Sequence, residues 1–166
     1  LLSRRQRQMC IRDSCLTVPD KVHEASFVGP LGTVPGFARV ITNCRDYTKL
    51  MQMLANGGIH NGEHILGRKT IDLIRTNTLT PTMIKEDFSN DYLAGYGYGY
   101  GMRTLMNRYE GQHNGMLGQF GWTGGSGTWA ECDPETGLSI VYMHNLQPNL
   151  EQYHHLRMRE VAYGCL

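Results

Sequence analysis

The sequence predicts an α+β fold in which an antiparallel sheet is flanked by helices, and three patterns support this. Residues 120–143 contain two strand-like runs joined by the turn-forming sequence Asp-Pro-Glu-Thr-Gly, which predicts a hairpin. Residues 42–58 combine an N-capping signal, apolar side chains at helical spacing and a terminating Gly-Gly pair. Residues 148–165 predict a final helix, so helices precede and follow the sheet.

The bulk properties indicate one domain and exclude several classes of partner. A chain of 166 residues is long enough to bury one core, and its formal net charge of +1 gives no global attraction to nucleic acid or to an anionic membrane. No apolar run approaches the ~20 residues that span a bilayer. The five cysteines are odd in number, widely spaced and without a C-x-x-C pair, which favours free buried thiols over disulfides or a zinc site.

The first 41 residues differ in composition from the rest of the chain. Residues 1–14 are rich in arginine and glutamine and show no apolar period. They have two interpretations: a basic arm that binds nucleic acid, or a scar derived from a sequencing adapter, which we favour. The scar implies that an upstream part of the natural protein is missing. Residues 15–41 are rich in proline and glycine and are interpreted as a loop-rich remnant, so the third region begins at residue 42.

Residues 42–58 are predicted to form an amphipathic helix that begins at Thr42 or Asn43. Its predicted apolar face consists of Tyr47, Leu50, Met51 and Leu54. An Asn-Gly turn at 61–62 then predicts a short hairpin. His60 and His64 have a spacing found in metal sites, but this spacing converges only on a helix. We therefore interpret them as a solvated pair rather than metal ligands.

The middle of the chain predicts a second helix at 68–77, with Ile71 and Ile74 facing inward. Residues 79–91 are interpreted as a polar surface excursion. The alternating Gly-Tyr sequence at 95–101 predicts a strand whose bare face lets another element pack closely, and residues 102–106 could continue it. In the final helix, Arg157 and Arg159 are expected to stay in water. Its predicted inward face consists of Leu150, Met158, Val161 and Cys165.

No complete catalytic motif of a common type is present. The chain has no P-loop, H-E-x-x-H, EF-hand or G-x-S-x-G sequence, although Gly-Gly-Ser-Gly at 124–127 comes close to the last. A Ser-His-Asp set could be assembled from Ser126, His113 or His144, and Asp133. Any sequence of this size offers such a trio, so we do not assign it a catalytic role.

The order of these elements resembles the C-terminal part of the serine β-lactamase-related family. The resemblance covers residues 28–166 and includes the sequence Gly-Trp-Thr-Gly-Gly at 121–125. The family contains class C β-lactamases, low-molecular-weight penicillin-binding proteins, D-aminopeptidases and family VIII esterases. It implies a three-layer fold with an antiparallel sheet between helices, and a serine hydrolase that cleaves an ester, amide or β-lactam through an acyl-enzyme.

The resemblance assigns roles to four consecutive residues. Trp122, Thr123 and Gly124 match the third family motif, so Thr123 is expected to line the substrate site on an edge strand. The backbone N–H of Gly125 is expected to be one of two oxyanion-hole donors. Trp122 replaces a lysine or histidine that would pair with a substrate carboxylate, which favours neutral esters or amides. The alternative is that Trp122 is only a half-buried aromatic residue on a sheet.

The other two family motifs, S-x-x-K and Y-x-N, do not occur in the 166 residues. We therefore expect this chain alone to be inactive and its nucleophile to lie upstream. The alternatives are a non-catalytic binding protein on the same fold, or an unrelated α+β module with a nucleic-acid-binding arm. No cofactor and no metal are expected, and the substrate is expected to be a small or peptide-like molecule. Oligomeric state and compartment, cytoplasmic or exported, stay open.

Overall fold

The computed structural model describes residues 42–88, 90–146 and 148–166. The predicted scar at 1–14, the loop-rich region at 15–41 and the cysteines at 10 and 15 lie outside these residues. The helices are α1 (Cys44–Ala55), α2 (Arg68–Ile74), α3 (Pro81–Asp87), α4 (Arg108–Gly111) and α5 (Glu151–Tyr163). The strands are β1 (Ile59–His60), β2 (Glu63–His64), β3 (Tyr96–Tyr98), β4 (Arg103–Leu105), β5 (Phe120–Thr123), β6 (Trp129–Asp133) and β7 (Leu138–Tyr142).

The described part of the chain forms a five-stranded antiparallel sheet with the order β3-β4-β5-β6-β7. The predicted hairpin is formed by β6 and β7, with Asp133 opposite Leu138. The carboxylate of Asp133 accepts the backbone N–H groups of Glu135 and Thr136, and Gly137 adopts φ +72° at the end of the turn. The predicted combination of helices with an antiparallel sheet is thus confirmed.

Helix α1 begins and ends at the predicted signals. The side chain of Asn43 accepts the backbone N–H of Asp46 at 2.9 Å, and Gly58 closes the C-terminal end by donating to the carbonyl of Met53 at 2.9 Å. Leu50 is 39% exposed and faces solvent, which corrects its predicted inward position. The remaining face packs on the sheet to form the core, whose buried members are Met51, Met53, Leu54, Ala55, Ile71, Phe120, Ala130 and Cys132.

The segment after α1 agrees with the sequence, but α3 was not predicted. The β1–β2 hairpin pairs Ile59 with His64 around the Asn-Gly turn, and Ile71 of α2 is buried. Residues 81–87 are helical, whereas the sequence analysis predicted only a polar surface excursion at 79–91 and no helix. Thr80 caps this helix by accepting the backbone N–H of Met83, and Pro81 occupies the first turn, where a missing N–H costs no hydrogen bond.

The Gly-Tyr segment forms a shorter strand than predicted. Only Tyr96–Tyr98 is extended, and the chain then reverses so that β4 pairs with β3 instead of continuing it. The reversal occurs at Gly101, which adopts φ +82°, and the N–H of Gly99 donates to the carbonyl of Met102 at 2.8 Å. Glycine is needed at position 99 because a Cβ there would lie 2.2 Å from the carbonyl oxygen of Ile74.

Helix α5 packs with a different face from the one predicted. Its buried side chains are His155 and Arg159, so the expectation that Arg159 stays in water was wrong. Met158 and Val161 are 42% and 66% exposed, which corrects their predicted inward position. The reason is that the sheet face under α5 carries charged and aromatic side chains. Polar side chains of the helix form hydrogen bonds with these, so the polar face of α5 is the buried one.

Candidate functional site

The four residues proposed to contact substrate lie where β5 enters a tight turn. Residues 124–127 connect β5 to β6, and we call them the 124–127 turn. The N–H of Gly127 donates to the carbonyl of Gly124 at 2.9 Å, and the N–H of Gly124 donates to the carbonyl of Thr128 at 2.8 Å. Gly125 is exposed at the tip, and a Cβ added to it would meet no atom within 4 Å.

Strand β5 lies inside the sheet, so the expectation of an edge strand needs correction. Among the described residues, however, β4 pairs only with Phe120 and Gly121. Trp122 and Thr123 therefore pair with β6 alone, opposite Ala130 and Trp129. The hairpin of β3 and β4 covers the first half of β5 and leaves its second half open on that side.

Trp122 is held by two other aromatic rings, and we call the three rings the aromatic triad. The indole is parallel to the ring of Phe88, with centroids 6.5 Å apart and an interplanar angle of 15°. The edge contact with Tyr98 has a centroid distance of 5.0 Å, and Phe88 and Tyr98 contact each other at 5.7 Å. Trp122 is still 39% exposed, so a ligand could reach the indole.

A buried histidine from α5 contacts the same turn. The ring Nε2 of His155 lies 2.8 Å from the carbonyl oxygen of Gly127, and its Nδ1 lies 2.7 Å from the hydroxyl of Tyr92. A carbonyl can only accept a hydrogen bond, so Nε2 carries the proton and Nδ1 accepts from Tyr92. Burial lowers the pKa of His155 to about 4, against the opposing effect of its bond to Gly127, so the ring is neutral at pH 7.

The sheet face under α5 carries a buried polar network that the sequence analysis missed. Its members are Tyr96, Arg103, His113, Gln119, Glu131, Asp133, Arg159 and Tyr163. The central atom is the hydroxyl oxygen of Tyr96, which accepts from Arg159 Nη1 at 2.9 Å and donates to Glu131 Oε1 at 3.3 Å. Burial, followed by the charge of Glu131, raises the pKa of Tyr96, so its hydroxyl stays protonated and can donate.

Charges and tautomers in this network are complementary. Arg103 lies between the rings of Tyr92 and Tyr96, 4.5 and 4.7 Å from their centroids, and its Nη2 is 3.6 Å from Glu131. The N–H of Gly115 donates to His113 Nδ1, so Nε2 carries the proton and donates to Tyr96. Burial, followed by the charges of Arg159, Arg103 and Arg108, lowers the pKa of His113 to about 3.

Two periodic stripes in the sequence could have indicated this network. His155, Arg159 and Tyr163 are spaced by four residues, which places them on one face of a helix. Glu131 and Asp133 alternate along one face of β6, and both are buried. The sequence does not show that the polar stripe on the helix faces the charged stripe on the strand. That contact is evident only when the two elements are packed together.

Two members of the considered Ser-His-Asp set have partners in the polar network, whereas the alternative histidine, His144, lies beside Gly127 of the 124–127 turn. His113 and Asp133 belong to the polar network, and their hydrogen bonds to Tyr96, Gly115 and Tyr163 do not direct them toward Ser126. His60 and His64 lie on the β1–β2 hairpin, and no group of three or more metal-ligating side chains occurs within the described residues.

Two further observations concern the cysteines and the helices of the described residues. The thiols at positions 44, 132 and 165 are free, although only the one at 132 is buried. Across residues 42–88, 90–146 and 148–166, no helix has both the length and the apolar character needed to cross a membrane.

Comparisons with known proteins place this chain among hydrolase-related sequences. The sequence profile of a family described as Beta-lactamase matches residues 5–163. A putative D-alanyl-D-alanine carboxypeptidase of Escherichia coli is 27% identical over 132 residues, which is 78% of this chain and 27% of that protein. Protein Rv1367c of Mycobacterium tuberculosis is 28% identical over 109 residues, which is 63% of this chain and 27% of that protein.

Solved structures share the fold. A penicillin-binding protein homologue from Caulobacter crescentus superposes with a TM-score of 0.62 and 26% identity, over 86% of this chain and 40% of that one. EstCE1, a hydrolase with promiscuous acyltransferase activity, superposes with a TM-score of 0.59 and 22% identity, over 74% of this chain and 30% of that one. This chain thus spans about a quarter of the length of its curated relatives.

Proposed function

The chain belongs to the Beta-lactamase family, and on this premise we propose that residues 122–125 form the oxyanion side of a serine hydrolase site. The complete site would cleave an ester or amide through an acyl-enzyme, with a serine, lysine and tyrosine supplied from outside this sequence. Relatives that are described as a hydrolase and as a putative carboxypeptidase support hydrolase chemistry for the family.

The observation that carries the proposal is the position of Gly125. It follows the Trp-Thr-Gly sequence directly and lies exposed at the tip of the 124–127 turn, with open space where a side chain would be. An oxyanion hole needs a backbone N–H in a rigid setting that a substrate carbonyl can approach closely. In the proposed site the N–H of Gly125 donates to that carbonyl oxygen, and Thr123 lines the approach.

The aromatic triad supports a neutral substrate. A tryptophan at position 122 offers a flat apolar surface instead of a cation, so it gives a substrate carboxylate no partner. Phe88 and Tyr98 hold the indole in one orientation, which is consistent with a wall against which an apolar acyl or alcohol group packs. We therefore propose neutral esters or amides as substrates, in preference to penicillins or peptides with a free C-terminal carboxylate.

A chimera tests the proposal. Residues 42–166 replace the structurally equivalent segment of EstCE1, and hydrolysis of p-nitrophenyl acetate is measured beside hydrolysis of a penicillin. We expect ester turnover without penicillin turnover. Gly125→Pro removes the N–H and should lower kcat by a factor of about 100 or more, whereas Gly125→Ala keeps the N–H and should retain most activity. Equal activity of the two variants would contradict the role of Gly125.

A second measurement uses the 166-residue chain itself. Intact-mass analysis after treatment with a fluorophosphonate, and separately with a penicillin, should show no adduct, since the proposed nucleophile lies outside the sequence. A stoichiometric adduct, for example on Ser126, would overturn this assignment. Binding of a neutral ester by the chimera without turnover, although the serine of EstCE1 is labelled by fluorophosphonate, would favour a non-catalytic binding protein.

A further inference from the structure

We propose that His155 is a positioning residue that holds the 124–127 turn and thereby sets the direction of the Gly125 N–H. The inference rests on the proposed function for its catalytic meaning, but its structural part can be tested separately. It links a buried side chain near the C-terminal end of the chain to a backbone group at the candidate site.

The turn needs such support because its own sequence is permissive. Three of its four residues are glycine, and Gly127 adopts φ +93°, a conformation that glycine enters without steric cost but does not hold by itself. An oxyanion donor that samples many directions loses the advantage of being oriented before the reaction begins. Contacts from outside the turn must therefore restrict it.

The hydrogen bonds inside the turn connect Gly127 directly to the proposed donor. The N–H of Gly127 donates to the carbonyl oxygen of Gly124 at 2.9 Å. That oxygen belongs to the same planar peptide unit as the N–H of Gly125, and in a trans peptide the two groups point in opposite directions. Fixing Gly127 thus fixes the plane that carries the Gly125 N–H.

His155 holds the other polar group of Gly127. Its Nε2 donates to the Gly127 carbonyl at 2.8 Å, and the side chain is 1% exposed, so water does not compete for this bond. The hydroxyl of Tyr92 donates to Nδ1 at 2.7 Å, and the ring stacks on Trp129 at 5.5 Å with an interplanar angle of 18°. The histidine therefore has one orientation and one tautomer.

The main chain gives a second anchor on the same side of the turn. The N–H of Leu146 donates to the carbonyl of Ser126 at 3.0 Å, so the two carbonyls that follow the tip are both bound. The space around Gly127 is also narrow, because a Cβ on this residue would lie 2.6 Å from His144 Nε2. The bond from Leu146 comes from the main chain, whereas the bond from His155 comes from a side chain. A substitution of His155 can therefore remove its bond without altering the sequence of the turn.

The test compares two variants of similar volume in the 166-residue chain. His155→Gln places an amide N–H near the position of Nε2, whereas His155→Leu has no donor. Amide hydrogen exchange measured by NMR should become about tenfold faster at Gly124 and Gly127 in His155→Leu. His155→Gln should restore most of the protection, and exchange in α1 should stay the same in both. Arg157→Gln, an exposed change on the same helix, serves as the control and should alter none of these rates.

The outcomes separate the inference from the proposed function. Unchanged exchange in the turn of folded His155→Leu overturns the positioning role, and so does equally fast exchange in the Gln and Leu variants. If His155→Leu does not fold, Tyr92→Phe removes only the hydroxyl that orients the ring and should still accelerate exchange in the turn. In the EstCE1 chimera, His155→Leu should lower kcat about tenfold with a smaller change in KM. A chimera without ester turnover would refute the proposed function and leave the exchange result intact.

Discussion

At the scale of single residues, the two glycines at positions 121 and 125 have opposite environments although they lie four residues apart. A Cβ on Gly121 would lie 2.1 Å from the carbonyl oxygen of Ala130 and 2.7 Å from the Cα of Glu131, both on the paired strand. Backbone atoms of a central strand cannot move away cheaply. A Cβ on Gly125 meets open space.

We therefore predict that Gly121→Ala destabilises the fold by about 1–3 kcal/mol, the range for forcing extra atoms into a packed interior. Gly125→Ala should change the free energy of unfolding by no more than about 0.5 kcal/mol. Urea unfolding followed by tryptophan fluorescence measures both. Similar unfolding midpoints for the two variants would show that β5 and β6 are not packed as described.

The buried histidines make stability depend on pH. Burial lowers the pKa of His155 from 6.5 to about 4, so the unfolded chain binds a proton that the folded chain does not bind between these values. The stabilisation is fully present above pH 6.5 and is lost progressively as the pH falls toward 4. His113, whose pKa is lowered to about 3, contributes with the same sign.

We predict that the free energy of unfolding falls between pH 6.5 and pH 4, and that His155→Gln makes this fall less steep by the equivalent of about one proton. His113 is present in both proteins, so the difference between them isolates His155. Urea titrations at several pH values give the slope. An identical slope in the two proteins would mean that His155 is not held neutral in the fold.

At the scale of elements, α5 is attached to the sheet by hydrogen bonds and charges more than by apolar packing. Arg159 is 2% exposed and donates to the Tyr96 hydroxyl, whereas Arg157, two residues earlier, is exposed and lies over the ring of Tyr153 at 3.8 Å. Loss of Arg159 would leave the buried Tyr96 hydroxyl without this charged donor. Loss of Arg157 removes only a surface contact.

Arg159→Met is predicted to destabilise the fold by about 3 kcal/mol, because one partner of a buried charged network is removed and the others stay buried. Arg157→Met should cost no more than about 1 kcal/mol, the size of an exposed cation–π contact. Thermal or urea unfolding compares them. Equal costs would indicate that α5 is not docked through Arg159.

The contrast between α1 and α5 shows which features the sequence could predict. Helix α1, the β1–β2 hairpin and the β6–β7 hairpin follow from caps, turns and apolar spacing within about fifteen residues, and all three were predicted. The buried face of α5 was predicted wrongly because Arg159 is matched by Tyr96, which lies 63 residues away. An arginine in a polar helix is predicted to be exposed to solvent. The burial of Arg159 becomes evident only when the helix is packed on the sheet.

The candidate site likewise has a part that the sequence predicted and a part that it did not. Trp122, Thr123, Gly124 and Gly125 were selected from a local motif, and the structure places them together at the end of β5 and in the turn that follows. The contact of His155 with Gly127 spans 28 residues, and the contacts of Phe88 with Trp122 and Tyr98 join separate elements. No spacing rule in the sequence brings these side chains together, so they could not be predicted from it.

At the scale of the whole molecule, the sheet ends at strands that have one partner each within the described residues. Strand β7 pairs with β6 alone, and its residues are all half-buried instead of fully covered. An edge of this kind presents backbone N–H and C=O groups to which another strand can pair. An unpaired edge therefore favours association of this chain with itself.

We predict that the purified 166-residue chain associates with itself through β7, and that a charge on this strand reduces the association. Ile140→Lys places a lysine at the centre of β7, where a second strand would pack. Ile65→Lys is the matched control, because Ile65 is 58% exposed and follows β2, in the separate two-stranded sheet. Sedimentation velocity over a wide range of concentration should show association for the unaltered chain and for Ile65→Lys, and mainly monomer for Ile140→Lys. A chain that stays monomeric at every concentration would mean that the β7 edge is already covered in solution, and equal association of both lysine variants would place the contact on another surface.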